Sequence, residues 1–497
     1  MTLPKDDTAW PPASAHSQKL AEWSAWYSGD PDQLGGFYGP ITGPNTRPAQ
    51  FAGGVVGRLA RWFWGVPTAA GEQRSKLHVP LAADICGTSA DLLYSEPVKL
   101  TSTDKTTAGV LADLQEQGLD ARLHEGAEVS AALGGEYLRT VWDKDVSPLP
   151  WTEVAHPDGA LPRFRNGRLV EVTLWSELAH QTDGVVHRLL ERHEAGVIEY
   201  ALYAGTGTNL GKRVPLAEHP DSEFAALLVN ADGLQPTGLS RIAVAYAPNM
   251  LPNRLHRHSP EGRSDLQGVE PFLDALDEAY SSWWRDIRHG KARIHVPASL
   301  LDTNGPGTPG GMDLDREVYV PMEGVLAKVT DGSLPIHVQQ FAIRVDAHLQ
   351  TCQDWTKTII ESAGYSTGSL SDDGGAKTAT EVRSEERRSY MTRGKKARYQ
   401  TQALRHHLAV QLEVAAQLGQ RVKPDDFQVE FPDGVQESAL SIAQTAQALR
   451  LAQAASVSTV VKMVHPEWEQ PAVDAEVGKI LAEETGALVP VPNDAGF

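Results

Sequence analysis

The sequence predicts an α+β fold with more than one lobe, and three observations lead to that prediction. The chain has 497 residues, whereas a single hydrophobic core stops growing near ~250–300 residues. Between residues 130 and 230, alternating apolar runs follow one another across turns without a long helix between them, which predicts an antiparallel or mixed sheet. From residue 268 onward, apolar residues recur at intervals of three and four, as in amphipathic helices.

Short helices precede the strands in the first half of the chain. Apolar spacing predicts helices at residues 20–27, 81–93 and 107–116, and Pro97 lies just beyond the end of the second. The link Glu194-Ala-Gly196 separates two apolar runs and is typical of a hairpin turn. The runs that predict strands are residues 135–141, 169–175, 185–194, 197–204 and 213–216.

Two amphipathic helices are predicted on either side of a small insert. The first, residues 270–288, follows Gly268 and has Pro271 in its first turn, where proline is tolerated. The second, residues 338–363, would be roughly 40 Å long at ~1.5 Å per residue. Each carries one apolar stripe, as expected of a helix with one buried face.

The insert and the C-terminal third have a simpler pattern. Two strands are predicted in the insert, at residues 292–296 and 317–320, on either side of a Gly/Pro-rich loop. A loop rich in glycine, serine and aspartate follows at residues 364–376, and a long helix is predicted from 383 to 420. The elements predicted after it are a strand at 427–431 and helices at 437–455, 458–464 and 473–484.

The charge of the chain argues against a protein that grips nucleic acid. Lys and Arg number 45 against 64 Asp and Glu, which gives a net charge of −19. Proteins that bind nucleic acid regardless of sequence neutralise phosphates with a basic surface, so an acidic surface would instead let DNA pass without adhering. No run approaches the ~20 apolar residues needed to cross a bilayer, and the polar N-terminus has no signal core, which predicts an intracellular protein.

The cysteines and histidines do not form a recognisable metal or disulfide pattern. Cys86 and Cys352 lie in different predicted helices without a second cysteine nearby, so we expect both to be buried apolar residues. His256 and His258 lie in a polar loop, and His406 and His407 are adjacent on a helix, where side chains point about 100° apart. Neither pair has a third ligand, so surface or interface histidines are expected and no cofactor or metal is predicted.

Two glycine-rich motifs match the sequence patterns of active-site loops but lack the flanking elements that such loops require. Gly364-Tyr-Ser366-Thr-Gly368 matches G-x-S-x-G, but a nucleophile elbow needs a preceding strand and a following helix, whereas a helix is predicted before it. We therefore expect a helix-terminating turn. Residues 205–213 have the wrong glycine spacing for a phosphate loop and no following helix, so a hairpin turn is expected. No catalytic set emerges, and the sequence predicts a protein that is not an enzyme.

The start of the long helix is rich in charge and admits two interpretations. One is a face of i,i+4 and intersubunit ion pairs, which the overall acidity favours; the other is a basic surface close to DNA. The basic residues concerned are Arg387, Arg388, Arg393, Lys395, Lys396 and Arg398.

Several motifs in order together resemble the portal proteins of tailed bacteriophages with long non-contractile tails. The early helix at residues 81–97 is similar to that of the family. The motifs that carry the resemblance are Gly262-Arg-Ser-Asp-Leu266 within residues 253–277, Ala292-Arg-Ile-His-Val-Pro297, Lys377-Thr-Ala-Thr-Glu-Val382, and His465-Pro-Glu-Trp468 within residues 456–476. The resemblance covers most of residues 75–485.

The resemblance implies a homo-oligomeric ring, usually of twelve subunits, at one vertex of the virion capsid. Double-stranded DNA would pass through the ring without sequence specificity during packaging and ejection. The implied partners are the terminase large subunit, the major capsid and scaffolding proteins and a head-completion or adaptor protein, with assembly in the host cytoplasm and no membrane. The implied regions are a wing (1–267), stem helix 1 (268–290), a clip (291–335), stem helix 2 (336–363), a tunnel loop (364–377), a long wing helix with a return strand (378–431) and a helical crown (432–497).

The family also implies two sets of site residues. Those of the tunnel loop are Ser369, Ser371, Asp372, Asp373 and Lys377. Those of the clip loop, where a motor or adaptor would dock, are Asp313, Asp315 and Arg316. The alternatives left open are a virion connector or scaffold ring without a DNA channel and a hydrolase built around Ser366.

Overall fold

The computed structural model confirms the α+β class, with helical segments and antiparallel sheets in the expected halves of the chain. It describes residues 3–13, 15–38, 77–179, 184–289, 293–297, 319–322, 337–339, 343–370, 386–432, 439–465 and 468–486. The helices are α1 (Ala15–Ser28), α2 (Pro31–Tyr38), α3 (Leu81–Leu93), α4 (Lys105–Glu116), α5 (Leu119–Leu133), α6 (Glu223–Leu228), α7 (Glu270–His289), α8 (Val345–Ala363), α9 (Arg387–Gln417), α10 (Ala439–Leu451), α11 (Val457–Val464) and α12 (Gln470–Gly486). The strands are β1 (Lys99–Thr101), β2 (Gly135–Val141), β3 (Trp151–Ala155), β4 (Ala160–Arg165), β5 (Arg168–Glu177), β6 (Val186–Glu194), β7 (Val197–Thr206), β8 (Asn209–Val214), β9 (Leu234–Pro236), β10 (Val244–Pro248), β11 (Arg293–Pro297), β12 (Tyr319–Met322), β13 (His337–Gln339) and β14 (Gln428–Glu430).

An antiparallel meander of strands β4 to β8 forms the largest sheet, with β9 paired to β7. The predicted hairpin between β6 and β7 is confirmed, and Gly196 in its turn has a left-handed φ of 82°. The glycine-rich stretch at residues 205–213 is the β7–β8 hairpin, in which Thr206 pairs with Asn209. Both motifs are therefore turns of one sheet, and neither is a phosphate loop.

A second antiparallel sheet packs against both helix α5 and long helix α9. The sheet has the order β10-β2-β3. The sequence did not predict α5, because its buried residues occupy most of its circumference and leave no amphipathic pattern. At Gly126 of α5, a Cβ would lie 1.6 Å from the Glu136 carboxylate of β2, so only glycine allows this close approach.

Helices α7 and α8 pack antiparallel. The rings of Phe272 and Trp355 lie 5.5 Å apart near one end of the pair, and Asp286 contacts Arg344 and His348 at 2.8 and 2.9 Å near the other. Each helix is about 30 Å long at ~1.5 Å per residue.

The predicted start of the second of these helices is wrong. Residues 337–339 form strand β13, which pairs antiparallel with β11, and helix α8 begins only at Val345. Pairing with β11 satisfies the backbone groups of this segment, and such tertiary pairing overrides local helix spacing. Strand β12 pairs with β11 in parallel, so these three strands form a small sheet between α7 and α8.

A hydrophobic core joins the base of α7 and α8 to helices α1, α3 and α5. Trp23, Ile85 and Ile359 are fully buried in it. Cys86 and Cys352 are also buried there as free thiols, which confirms the prediction for both.

The N-terminal residues contact both the large sheet and this core. Trp10 packs edge-on against Trp175 of β5, with ring centroids 5.5 Å apart. The Tyr203 hydroxyl donates to the Pro4 carbonyl at 2.7 Å. Further along, the Trp23 indole donates to Glu270 of α7 at 2.9 Å. Residues 3–28 therefore connect the sheet to the base of α7.

We predict that Trp10→Ala lowers the free energy of unfolding of the sheet by about 3–5 kcal/mol, since the substitution empties a buried aromatic site. Urea denaturation followed by far-UV circular dichroism measures the change. Trp142→Ala is the matched control, because Trp142 is 39% exposed. Equal losses in the two variants would show that the N-terminal contact does not stabilise the sheet.

Candidate functional site: the polar seam of helix α9

Helix α9 buries a row of polar side chains along one face. They recur at intervals of three, four or seven residues, which places them on one side of a helix with 3.6 residues per turn. All are at most 9% exposed. We call this row the polar seam; it consists of Ser389, Arg393, Lys396, Gln400, His407 and Gln411.

Lys396 lies at the centre of a buried cluster of hydrogen bonds. Its ammonium is 2.5 Å from Asp265 Oδ2 and 2.6 Å from Ser89 Oγ. Tyr365 donates its hydroxyl to the same Asp265 oxygen at 2.6 Å, and Asn249 donates to the other at 2.9 Å. A buried charge pair is tolerated when further hydrogen bonds satisfy it in this way.

The protonation of Tyr365 suits its role as a donor. Burial, together with the nearby negative charge of Asp265, raises the pKa of Tyr365 well above its usual value. The phenol therefore stays protonated at neutral pH and donates a hydrogen bond to the Asp265 carboxylate. Helix α3, the loop before α7, the end of α8 and helix α9 all contribute to this cluster.

Arg393 binds main-chain oxygens of two other chain segments. Its Nε donates to the Leu92 carbonyl at 2.6 Å, and its guanidinium also donates to the Pro432 carbonyl. Leu92 lies in the last turn of α3 and Pro432 follows β14. Arg393 thus ties two chain segments to α9.

Glu136 is the partner of Gln400 in the middle of the seam. Gln400 Nε2 donates to Glu136 Oε1 at 2.5 Å. Glu136 is fully buried, and this burial raises its pKa to about 8. The carboxyl is therefore mostly protonated at pH 7, which avoids an unpaired buried charge.

His407 is neutral and buried at the far end of the seam. Its Nε2 lies 2.8 Å from Thr152 Oγ1 and its Nδ1 3.3 Å from Thr140 Oγ1. Burial, and to a smaller extent His406, lowers the pKa of His407 to about 3. The expectation that His407 is a surface or interface residue is wrong, because this face of α9 packs on β2 and β3.

The start of α9 is hydrogen-bonded to the end of α8. Gly364 ends α8 with a φ of 106°, and the Tyr365 N–H donates to the Ile360 carbonyl, as in a Schellman motif. Thr392 donates its hydroxyl to the Gly364 carbonyl at 2.7 Å. The Ser366 N–H donates to Ser389 Oγ at 2.9 Å. Residues 364–366, which follow α8, are therefore held against the first turns of α9 by Thr392 and by Ser389 of the polar seam.

This arrangement lies within a chain that matches a known family over most of its length. The family model described as "Phage portal protein, SPP1 Gp6-like" matches residues 67–487. The chain belongs to this phage portal family. Its resemblance to portal proteins is thereby confirmed, and the portal protein therefore has a connector role.

Other comparisons add little to this assignment. No curated protein matches this chain. A chain in the virion of a native gene transfer agent particle is 14% identical, with 82% of this chain and 99% of that chain covered and a TM-score of 0.40. Chains in the neck of the native particle computed with C12 symmetry and of the empty particle computed with C6 symmetry are 16% and 15% identical. They cover 82% of this chain and 92% of those chains, with TM-scores of 0.36 and 0.42. The family assignment rests on the sequence match alone.

The structure divides the six basic residues predicted at the start of α9 into two groups. Arg387, Arg388, Lys395 and Arg398 are exposed. Arg393 and Lys396 are buried and bind partners within the same subunit. The expectation that all six serve neighbouring subunits or DNA is therefore corrected for these two.

The other predicted site residues lie mostly outside the described part of the portal protein. Ser369 ends a 3₁₀ turn after α8. The predicted site residues outside the described part of the chain are Ser371, Asp372, Asp373 and Lys377 of the tunnel loop and Asp313, Asp315 and Arg316 of the clip.

No catalytic or metal site is found in the described residues. The G-x-S-x-G motif follows helix α8, so the predicted helix-terminating turn is confirmed and the strand required before a nucleophile elbow is replaced by a helix. Among the described side chains, no group of three potential ligands could hold a metal ion. In the same part of the chain, no helix is long and apolar enough to cross a membrane.

Sequence reasoning missed the partners of the seam. Asp265 lies inside the motif Gly262-Arg-Ser-Asp-Leu266, and Tyr365 lies inside the G-x-S-x-G stretch, but neither stood out as a binding residue. A usable signal was the spacing of the polar residues on α9, which repeats with helical period. Glu136 gave no comparable signal, because its strand alternates normally.

We predict that Lys396→Met destabilises the portal protein by about 3–5 kcal/mol, since it leaves the buried Asp265 carboxylate without its cation. Lys395→Met, one residue away and exposed, should change stability by no more than about 0.5 kcal/mol. Chemical denaturation compares the two variants. The double variant Asp265→Asn, Lys396→Met should recover part of the loss, and a loss in Lys395→Met as large as in Lys396→Met would contradict the role of the pair.

We predict that Glu136→Gln makes stability less dependent on pH. The folded protein keeps the Glu136 proton up to about pH 8, whereas the unfolded chain releases it near 4.5. Wild-type stability therefore falls as pH rises between these values, by about 1.4 kcal/mol per unit at most. The melting temperature of Glu136→Gln, measured relative to that of the wild type, should increase as the pH is raised from 5 to 8.5. The exposed control Glu116→Gln should run parallel to the wild type; a parallel Glu136→Gln curve would contradict the prediction.

Proposed function

We propose that this protein assembles into the ring at one capsid vertex through which double-stranded DNA is packaged and ejected. The ring would have twelve subunits and would be assembled in the host cytoplasm with the major capsid and scaffolding proteins. It would first dock the terminase motor and later the head-completion proteins. The observation that carries this proposal is the family match over residues 67–487.

The anchored start of the tunnel loop supports a role for this segment at the channel. Gly364 and Ser366, which follow α8, are hydrogen-bonded to Thr392 and Ser389 of α9. These hydrogen bonds fix the first residues of the tunnel loop to helix α9. We infer that the tunnel loop, residues 364–377, faces the channel.

The charge of the chain supports passage of DNA over binding of DNA. Twelve copies would carry twelve times −19, that is −228. A negative wall repels phosphates and lowers the affinity for duplex DNA. The burial of Arg393 and Lys396 further reduces the cations available to it.

The paired helices α7 and α8 support assembly through a stem. Apolar side chains on their outer faces remain exposed in the single subunit; they are Trp284, Ile287, Val345 and Leu349. Burial of such side chains is favourable by ~25 cal/mol per Å² of apolar surface. We propose that neighbouring subunits cover these faces, as the stem helices of a ring.

A connector ring without a DNA channel is the second candidate. The burial of Arg393 and Lys396 is equally compatible with this candidate, because neither candidate requires a surface that binds DNA tightly. The two candidates agree on a ring and differ in what passes through it.

Electron cryomicroscopy of the purified full chain tests both candidates. We expect closed rings with an axial hole wider than duplex DNA, about 20 Å, and with Leu370 and Glu386 at its wall. Rings with a hole too narrow for duplex DNA would favour the second candidate. A monomer at high concentration, also after addition of scaffolding protein, would contradict both.

A further inference from the structure

Helix α6 presents an apolar ridge to solvent at one end of the large sheet. Phe224, Leu227 and Leu228 are 47%, 84% and 45% exposed. Their spacing of three and four places them along one side of α6, while Ala225 is fully buried against the sheet. Three large apolar side chains so exposed on a short helix are typical of a surface that binds a partner.

Carboxylates surround this ridge. The 3₁₀ turns Leu216–Glu218 and Pro220–Ser222 pack against α6, and Glu218, Glu223 and Asp232 are exposed without an ion pair among the described residues. Arg213 lies close by, but its guanidinium is directed to Glu199 at 3.9 Å and to the Tyr200 carbonyl at 3.2 Å. We call the ridge and these three carboxylates the acidic patch.

The outer face of α9 has the complementary character. Its exposed residues recur at three and four along about 26 Å of helix at ~1.5 Å per residue. Met391, 56% exposed, is the apolar residue among them. We call this row the basic stripe; it consists of Arg388, Met391, Lys395, Arg398, Gln402 and Arg405. Its four cations form no ion pair within the described part of the subunit.

We propose that the acidic patch of one subunit packs against the basic stripe of the neighbouring subunit. This inference rests on the proposed ring and names the contact that closes it. Two different surfaces that bind each other head to tail generate a ring when the rotation closes. Met391 would contact the ridge of Phe224, Leu227 and Leu228, while the stripe's cations pair with Glu218, Glu223 and Asp232.

The observations favour a second copy of the chain over DNA as the partner of the stripe. DNA offers phosphates but no apolar ridge for Met391, whereas the acidic patch offers both carboxylates and apolar side chains. The cations of the stripe also outnumber the three free carboxylates by one, so the charges nearly match. Such complementarity fixes which surfaces meet.

Reversal of the charges tests the proposal. The patch variant carries Glu218→Lys, Glu223→Lys and Asp232→Lys; the stripe variant carries Arg388→Glu, Lys395→Glu and Arg398→Glu. Each alone should lower the fraction of subunits in rings at least about tenfold, because like charges then face each other. The two sets combined in one chain should restore rings. Near-UV circular dichroism verifies that every variant is folded.

Cysteine cross-linking tests the same contact without charge changes. Leu227→Cys with Met391→Cys in one chain should give disulfide-linked ladders on oxidation, while either substitution alone should not. Native Cys86 and Cys352 are buried and do not compete. Absence of ladders from the double variant in intact rings would count against the contact.

The outcomes separate this inference from the proposed function. Normal rings in both charge-reversal variants would overturn the contact and leave the portal ring intact. Intact rings with weakened duplex DNA binding in the stripe variant would assign the stripe to DNA and also overturn it. A wild-type chain that never forms rings would instead overturn the proposed function, and the inference with it.

Discussion

The buried polar face of α9 is the constraint to which the surrounding elements conform. Buried donors and acceptors must be hydrogen-bonded, because an unpaired polar group in the interior is costly. Six such side chains on one helix therefore require six sets of hydrogen-bond partners at fixed positions along the helix axis. Helix α3 supplies Ser89 and the Leu92 carbonyl, strand β2 supplies Glu136, and the loop before α7 supplies Asp265. An apolar face would have tolerated several registers of α9, whereas this one permits a single position.

The same constraint joins the end of α8 to the start of α9. Thr392 of α9 binds the Gly364 carbonyl at the end of α8, and Asp265 accepts hydrogen bonds from both Lys396 of α9 and Tyr365, which follows α8. A hydrogen-bonded network of this kind is cooperative, so the loss of one member weakens the others. Substitution of Asp265 would remove several of its hydrogen bonds at once, since its carboxylate accepts bonds from Lys396, Tyr365 and Asn249.

Local patterns predicted those parts of the fold that depend on local interactions. Helix α3 and strand β2 have the predicted bounds, and the β6–β7 hairpin follows from one glycine turn. Helix α5 could not be predicted because contacts on most of its sides erase its amphipathic pattern. The seam could not be predicted because Lys395 and Lys396 are the same residue type, and a partner 131 residues away decides which of them is buried. Strand β13 depends likewise on its distant partner β11.

The charged residues of α9 have different roles on its buried face and on its exposed face. Arg393 and Lys396 face inward, where each satisfies oxygens of the same subunit and specifies the fold. Lys395 and Arg398 face outward, where they change the fold little and remain free to specify a neighbour. A substitution on one face therefore alters stability, and a substitution on the other alters association. Because the two rows lie on the same rigid helix, the register fixed by the buried row also determines the position of the exposed row. Folding of the subunit thereby prepares the surface through which we propose that subunits meet.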